Sequence, residues 1–181
     1  MKLWLVRHAR PLIEPGVCYG ASDVPADELE TLACARALAQ VLPQGLHVLH
    51  SPLQRCTQLA QALESLRPDL RALADARLVE MDFGCWEGVR WGAIPKPAWD
   101  EWMAAFGSCR FGGRESVQEL LQRVARARLD TGQQAQEALW ITHAGVIRVL
   151  ALLARGLDQI EHAGQWPKQV TGFGEWLQLE L

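Results

Sequence analysis

Three short, mostly apolar runs, each leading straight to residues fit for chemistry, constrain this chain more than any other feature. Residues 3–6 run into Arg7-His8, residues 46–49 lead to Ser51-Pro52 and Arg55, and residues 138–142 end on His143-Ala144-Gly145. Runs of four or five residues with little polar alternation read as strands buried on both faces. Helical patterns separate them. Asp27 can cap a segment whose apolar positions Leu29, Leu32, Ala33, Ala37 and Val41 recur at helical spacing, with Pro43 and Gly45 ending it. Ser51-Pro52 opens a second helix, with Leu53, Cys56, Ala60 and Leu63 on one face. Val117, Leu120, Leu121 and Val124 mark a third. His143-Ala144-Gly145 reads as a turn before a helix that begins at Val146. A strand-like stretch ends near Leu78-Val79, and the closing EWLQLEL alternates as an edge strand does. Strands alternating with helices predict an α/β fold, a three-layer αβα arrangement around a mainly parallel sheet. At 181 residues the chain is expected to be one domain, residues 1–181, with an irregular Trp-rich insertion at about 81–113.

Charge and cysteine usage narrow the partners. The net charge of −3 and a pI near 6.0 disfavour nucleic acid or an anionic membrane surface, so an anionic substrate needs a local cluster of positive charge. No apolar run approaches the ~20 residues of a membrane span. The start is too short in apolar residues for a signal peptide. The five cysteines are odd in number and scattered, which fits a reducing compartment and argues against a disulfide framework or a zinc knuckle. A cytoplasmic location is expected.

In parallel sheets, ligands sit beyond the carboxyl ends of the strands. The residues expected there are Arg7, His8, Arg55 and His143. Two guanidinium groups suit the oxygens of a phosphoryl group. An imidazole among them can attack phosphorus and carry a covalent phosphohistidine, and a second can donate to the transition state. The N–H groups opening the helix after His143, beginning at Ala144, add anion-binding capacity. Glu80 is the leading candidate for the acid that protonates the leaving alcohol, with Asp82 and Glu87 close by in sequence. Two histidines with carboxylates also raise a metal site. Fixed cations beside a metal dication cost Coulomb energy, and the histidine spacing matches no HExxH-type pattern, so no metal or cofactor is expected. His47, His50 and His162 read as structural, and Arg123, Arg126 and Arg128 as a solvated helix face. The tryptophans at 86, 91, 99 and 102 read as packing, with the option of an apolar wall for a bulky leaving group.

These segments resemble the signatures of the histidine phosphatase superfamily, the phosphoglycerate-mutase-like group. Leu5-Val6-Arg7-His8, Ser51-Pro52-Leu53-Gln54-Arg55-Cys56 and Thr142-His143-Ala144-Gly145 look like its three motifs, in order. Residues 79–88, VEMDFGCWEG, resemble its acid-bearing segment, whose first Glu, here Glu80, is implied as proton donor. The loop Gly16-Val17-Cys18-Tyr19-Gly20-Ala21-Ser22-Asp23 resembles that of α-ribazole phosphatases, and Trp91, Trp99 and residues 112–116 fit the same branch. The resemblance implies a metal-independent phosphomonoesterase acting on α-ribazole 5′-phosphate or adenosylcobalamin 5′-phosphate. Its implied substrate contacts are Arg7, Arg55, His143, Ala144, Tyr19, Gly20 and Ser22. Ala9 stands where many members have Gly, and Arg10 where other branches carry an acidic residue or Thr. Alternatives are a broad sugar or small-molecule phosphatase, a mutase, which in this group carries a longer insertion, and a non-catalytic binding module. The expected partner is a small phosphomonoester. The oligomeric state is left open.

Overall fold

Odd and even residues of the central strands face opposite layers, and that alternation builds the molecule. The computed structural model describes residues 1–134, 136–169 and 171–180. Its sheet has the order β3-β2-β4-β1-β5, with β1 Lys2–Arg7, β2 His47–His50, β3 Ala72–Ala74, β4 Ala138–Thr142 and β5 Trp176–Glu180. All neighbours pair in parallel except β5, which runs antiparallel to β1 along the edge. Leu3 and Leu5 of β1, with Ala138 and Trp140 of β4, point into one core; Trp4, Val6, Leu139 and Ile141 point into the other. Helices α1 (Glu28–Val41) and α2 (Gln54–Leu66) cover the second face. Helices α4 (Val117–Gln133) and α5 (Ala144–Ala154) cover the first. The result is the three-layer, mainly parallel α/β architecture read from the sequence. Burying each Leu or Val of these layers is worth ~2 kcal/mol of transfer free energy.

Local chemistry sets the helix starts. Asp27 accepts the Glu30 N–H as the N-cap of α1. Ser116 and Glu119 form a reciprocal capping box at the start of α4. Four expectations are corrected. The α1 face that packs inward is Thr31, Cys34, Ala35 and Leu38, while Leu29 and Val41 are exposed. Helix α2 opens at Gln54, beyond Ser51-Pro52. The third strand lies at Ala72–Ala74, and Ala76–Leu78 is a single 3₁₀ turn. His143 is the N-cap of α5, so Ala144 and Gly145 belong to its first turn. The alternating C-terminal segment forms β5, and Leu181 at its end lies outside the described residues.

The Trp-rich stretch folds into short 3₁₀ turns and α3 (Lys96–Ala104). Its aromatic rings pack on one another and on the core. Phe111 lies flat against Trp102 at 4.2 Å between centroids, and Trp91 meets Phe83 edge-on at 5.3 Å. No helix among the described residues is long and apolar enough to cross a membrane.

Candidate active site

The backbone ladder continues past the strand ends and holds three chain segments together. The His8 N–H donates to the Thr142 carbonyl at 3.1 Å and the Ser51 N–H to that of Ile141 at 3.0 Å. His8 and His143 therefore lie with ring centroids 5.1 Å apart. His8 Nδ1 sits 2.6 Å from the Ala9 carbonyl oxygen, which can only accept, so Nδ1 carries the proton and Nε2 keeps its lone pair. Burial, then the charges of Arg55 and Arg7, push the His8 pKa down to about 3, although the Ala9 bond opposes them. His8 is thus a neutral imidazole with its nucleophilic nitrogen unprotonated at neutral pH.

Arg55, in the first turn of α2, is fully buried. Its Nη1 and Nη2 donate to the carbonyls of Ser22 and Gly20 at 2.8 and 2.6 Å, and its Nε to His143 Nδ1 at 3.2 Å. Because Arg donates, His143 Nδ1 must accept, and Nε2–H donates to Ser51 Oγ at 2.8 Å. Burial, followed by Arg55 and His8, holds His143 well below the usual histidine range. Both of its nitrogens are occupied in this arrangement. Donation from His143 to a phosphoryl oxygen therefore requires these bonds to exchange.

Arg7 donates through Nη1 to the Thr171 carbonyl at 2.8 Å and lies 3.8 Å above the Phe173 ring. Its buried Nε has no partner. The positive charge of Arg7 acts on the Tyr19 phenol, and the Tyr19 ring centre lies 5.4 Å from the Arg55 guanidinium carbon. Burial raises the Tyr19 pKa, so the phenol stays protonated. Glu80 reaches in from the opposite side. Its Oε2 accepts the Gly145 N–H at 2.9 Å, at the positive end of α5, and Oε1 accepts the Met81 N–H at 3.0 Å. A Cβ at Gly145 would stand 2.1 Å from Glu80 Oε1, so only glycine lets the carboxylate approach. The Ala144 N–H, first in the helix, has no protein partner among the described residues.

Two residues do more than the sequence suggested. Glu87 anchors the loop after β1. Its carboxylate accepts the N–H groups of Gly20, Ala21 and Phe83 at 2.9, 3.0 and 3.0 Å, that of Ser22 at 3.2 Å, and the Ser22 hydroxyl. Gly20 and Ser22 thus face Arg55 through their carbonyls, while the Ser22 hydroxyl is directed to Glu87. Gly20 is required at its position, because a Cβ there would lie 1.9 Å from the Met81 carbonyl oxygen. Arg123 corrects the expectation of a solvated face. It is half-buried, pairs with Glu115 at 2.7 Å, and donates to the carbonyls of Arg77, Val79 and Glu80 at 2.7, 2.6 and 3.1 Å. Glu115 in turn accepts the Asp82 N–H at 3.1 Å. The pair grips the backbone on both sides of Glu80.

A cavity of about 300 Å³ adjoins Glu80 and Gly145. Its wall is built from Phe83, Trp91, Trp99, Trp102, Phe106 and Trp166, with Arg148 at its edge. Across Glu80 lies an open cleft of about 700 Å³ bordered by charged residues. His8 itself is 2% exposed, with Phe173 5.7 Å from its ring. Among the described residues no group of three His, Cys, Asp or Glu side chains is placed to hold a metal ion.

The sequence from residue 3 to residue 171 matches the family model of the histidine phosphatase superfamily, branch 1. The chain belongs to the histidine phosphatase superfamily. Solved structures superpose on this histidine phosphatase closely. The native mycobacterial glucosyl-3-phosphoglycerate phosphatase gives a TM-score of 0.82 at 20% identity, over 98% of this chain and 88% of that one. TTHB049 from Thermus thermophilus gives 0.74 at 28% identity, over 99% and 94%. Comparison with curated protein sequences gives no match. Of the two residues missed, Glu87 had a visible cue, the acid beside Gly88 in the Glu80 segment. Arg123 had none, since the three carbonyls it meets lie more than forty residues away in sequence.

Proposed function

We propose that this histidine phosphatase hydrolyses phosphomonoesters through a phosphohistidine on His8. The observation that carries the reading is the state of His8: a neutral ring whose Nδ1–H is held by the Ala9 carbonyl, with a bare Nε2 flanked by the charges of Arg7 and Arg55. Nε2 attacks phosphorus, the bond to the ester oxygen breaks, and Glu80 gives that oxygen a proton. Water then attacks the phosphohistidine, Glu80 takes a proton from it, and inorganic phosphate leaves with His8 restored. Arg7 and the Ala144 N–H hold the phosphoryl oxygens; Arg55 and His143 supply positive potential and a fixed frame. None of these steps calls on a metal ion.

The leaving group enters the aromatic cavity beside Glu80. Its volume of about 300 Å³ suits a ring system rather than a three-carbon acid. We propose α-ribazole 5′-phosphate, or the cobalamin 5′-phosphate that contains it, as the substrate. Tyr19, Gly20 and Ser22 shape the loop at the mouth.

A labelled substrate and an acid quench test the first step. The expected product is a base-stable, acid-labile phosphoenzyme that forms in the presence of EDTA and is absent from His8→Ala. A metal-dependent reaction, or substantial turnover by His8→Ala, would overturn the mechanism. In the same preparation, kcat/KM for α-ribazole 5′-phosphate is expected to exceed that for 3-phosphoglycerate by roughly tenfold or more. Equal values would remove the substrate assignment and leave the phosphatase reading standing.

A further inference from the structure

The ring of Phe173 lies against both the proposed nucleophile and the arginine beside it. Its centroid is 5.7 Å from that of His8, tilted by 41°, and 3.8 Å from the Arg7 guanidinium carbon. The second distance is that of a cation resting on an aromatic face. Phe173 itself is half-buried. It helps to line a cavity of about 230 Å³ with Arg10, Tyr19, Ile13 and Val17, and neither Arg7 nor His8 belongs to that lining. The phenyl ring thus stands between His8 and a cavity on its other side.

The backbone around Phe173 is clamped to β1. The Gly174 N–H is shared between the carbonyls of Arg7 and His8 at 3.2 and 3.1 Å, the Arg7 N–H donates to the Glu175 carbonyl at 3.1 Å, and Arg7 Nη1 donates to that of Thr171 at 2.8 Å. Gly174 takes a φ of +71°, which favours glycine, and the Glu175 N–H closes the turn onto the Gly172 carbonyl at 3.2 Å. The Glu175 carboxylate accepts the Gly172 N–H at 2.7 Å, so it is occupied within the turn. What the turn sets against His8 is an apolar ring. An imidazolium needs water around it, and burial is the largest of the effects that keep His8 neutral. The charged or titratable groups near the His8 ring are Arg7 on β1, Arg55 on α2 and His143 at the head of α5, while Tyr19, Glu80 and Arg148 act on Arg7. Shortening Phe173 admits water to His8 and leaves all of these groups in the chain.

We infer that Phe173 is a positioning residue that roofs the nucleophile, keeping water off His8 so that its attacking nitrogen stays free of a proton well below neutral pH. This rests on the proposed role of His8.

Two measurements on the full chain test it. The first follows the His8 ring by NMR in histidine-labelled protein from pH 8 to pH 4.5, with His8→Gln identifying its signal. In the wild type the ring is expected to stay neutral throughout. In Phe173→Ala it should take up a proton with a midpoint near pH 5, about two units above the wild-type value of about 3. Phe173→Gln, which keeps length but brings a polar amide, should do the same and serves if the Ala variant does not fold. Phe173→Leu, which restores apolar bulk, should behave as wild type. The second measurement is kcat/KM for p-nitrophenyl phosphate over the same range, whose leaving group needs little protonation by Glu80. With a midpoint near pH 5, about three-quarters of the rings are protonated at pH 4.5. The ratio of activity at pH 4.5 to that at pH 8 should therefore be roughly fourfold lower in Phe173→Ala than in wild type, and restored in Phe173→Leu. Because the readout is a ratio within one protein, partial loss of active enzyme does not affect it. A His8 ring that stays neutral in both Phe173→Ala and Phe173→Gln would overturn the inference, as would a Leu variant that titrates like the Ala variant. Its failure is separable from that of the proposed function. If the ring titrates as expected but the pH profile does not follow it, His8 is not the attacking group and both fall. If the ring does not move while the wild-type phosphoenzyme forms on His8, only the role of Phe173 falls.

Discussion

Glu80 is held by two backbone N–H groups, one of them at the positive end of α5, so its oxygens are fixed rather than swinging in solvent. In the proposed mechanism this fixed carboxyl beside the aromatic cavity serves the departing oxygen, and its value depends on how badly that oxygen needs a proton. An alkoxide leaves poorly; p-nitrophenolate leaves readily without help. Glu80→Gln keeps the shape and a hydrogen-bonding oxygen for Gly145 but has no proton to transfer. The expected loss is roughly 10²–10⁴-fold in kcat on an alkyl phosphate and under tenfold on p-nitrophenyl phosphate. Equal losses on both would pass the acid role to Asp82 or another group. Glu87 is a poor substitute, because its carboxylate is committed to four backbone N–H groups and the Ser22 hydroxyl.

At the scale of elements, the site is assembled by contacts between segments distant in sequence. Helix α4 lends Arg123 to the backbone around Glu80, and Glu115 holds both Arg123 and the Asp82 N–H. Arg123 touches no reacting atom in this arrangement and acts as a positioning residue. Arg123→Gln should therefore mimic a partial Glu80 defect. The loss on alkyl phosphates is expected to be roughly tenfold or more and that on p-nitrophenyl phosphate small, with Arg123→Lys recovering part of it. A uniform loss on both substrates would mark Arg123 as merely structural. Such roles explain what the sequence leaves unread. The strands were legible because residues 138–142 are buried on both faces and carry no polar residue until Thr142. The α4 face was legible because Val117, Leu120, Leu121 and Val124 stand out against charged neighbours. The α1 face was not, because Ala, Leu and Cys surround that helix and several spacings fit equally well. A long arginine at helical spacing looks the same in sequence whether it meets water or three carbonyls. Arg7, His8, Arg55, Glu80 and His143 were nameable from motif and strand end, but the loop-holding role of Glu87 needed coordinates.

For the molecule as a whole, the environment of His8, the proposed nucleophile, has a stability consequence. His8 and His143 are kept neutral by burial next to buried arginines, with His8 brought down to about 3 and His143 well below its usual range. In the unfolded chain both return to a histidine pKa of about 6.5. Below that pH the unfolded state binds protons that the native state refuses, so the free energy of unfolding falls as pH falls. Above it both states are neutral, and the contribution is constant. Each histidine contributes a slope approaching ~1.4 kcal/mol per pH unit, and the pair together lowers stability by about 3 kcal/mol between about pH 6.5 and pH 5. That window lies above the range where most carboxylates titrate, which isolates the effect. Urea unfolding at a few pH values across it should show the fall. In His8→Gln, which cannot take up a proton, roughly half of the slope should disappear. A wild-type stability flat from pH 6.5 to pH 5 would mean that these histidines accept protons in the folded state, and the neutral nucleophile on which the proposed chemistry depends would be lost with it.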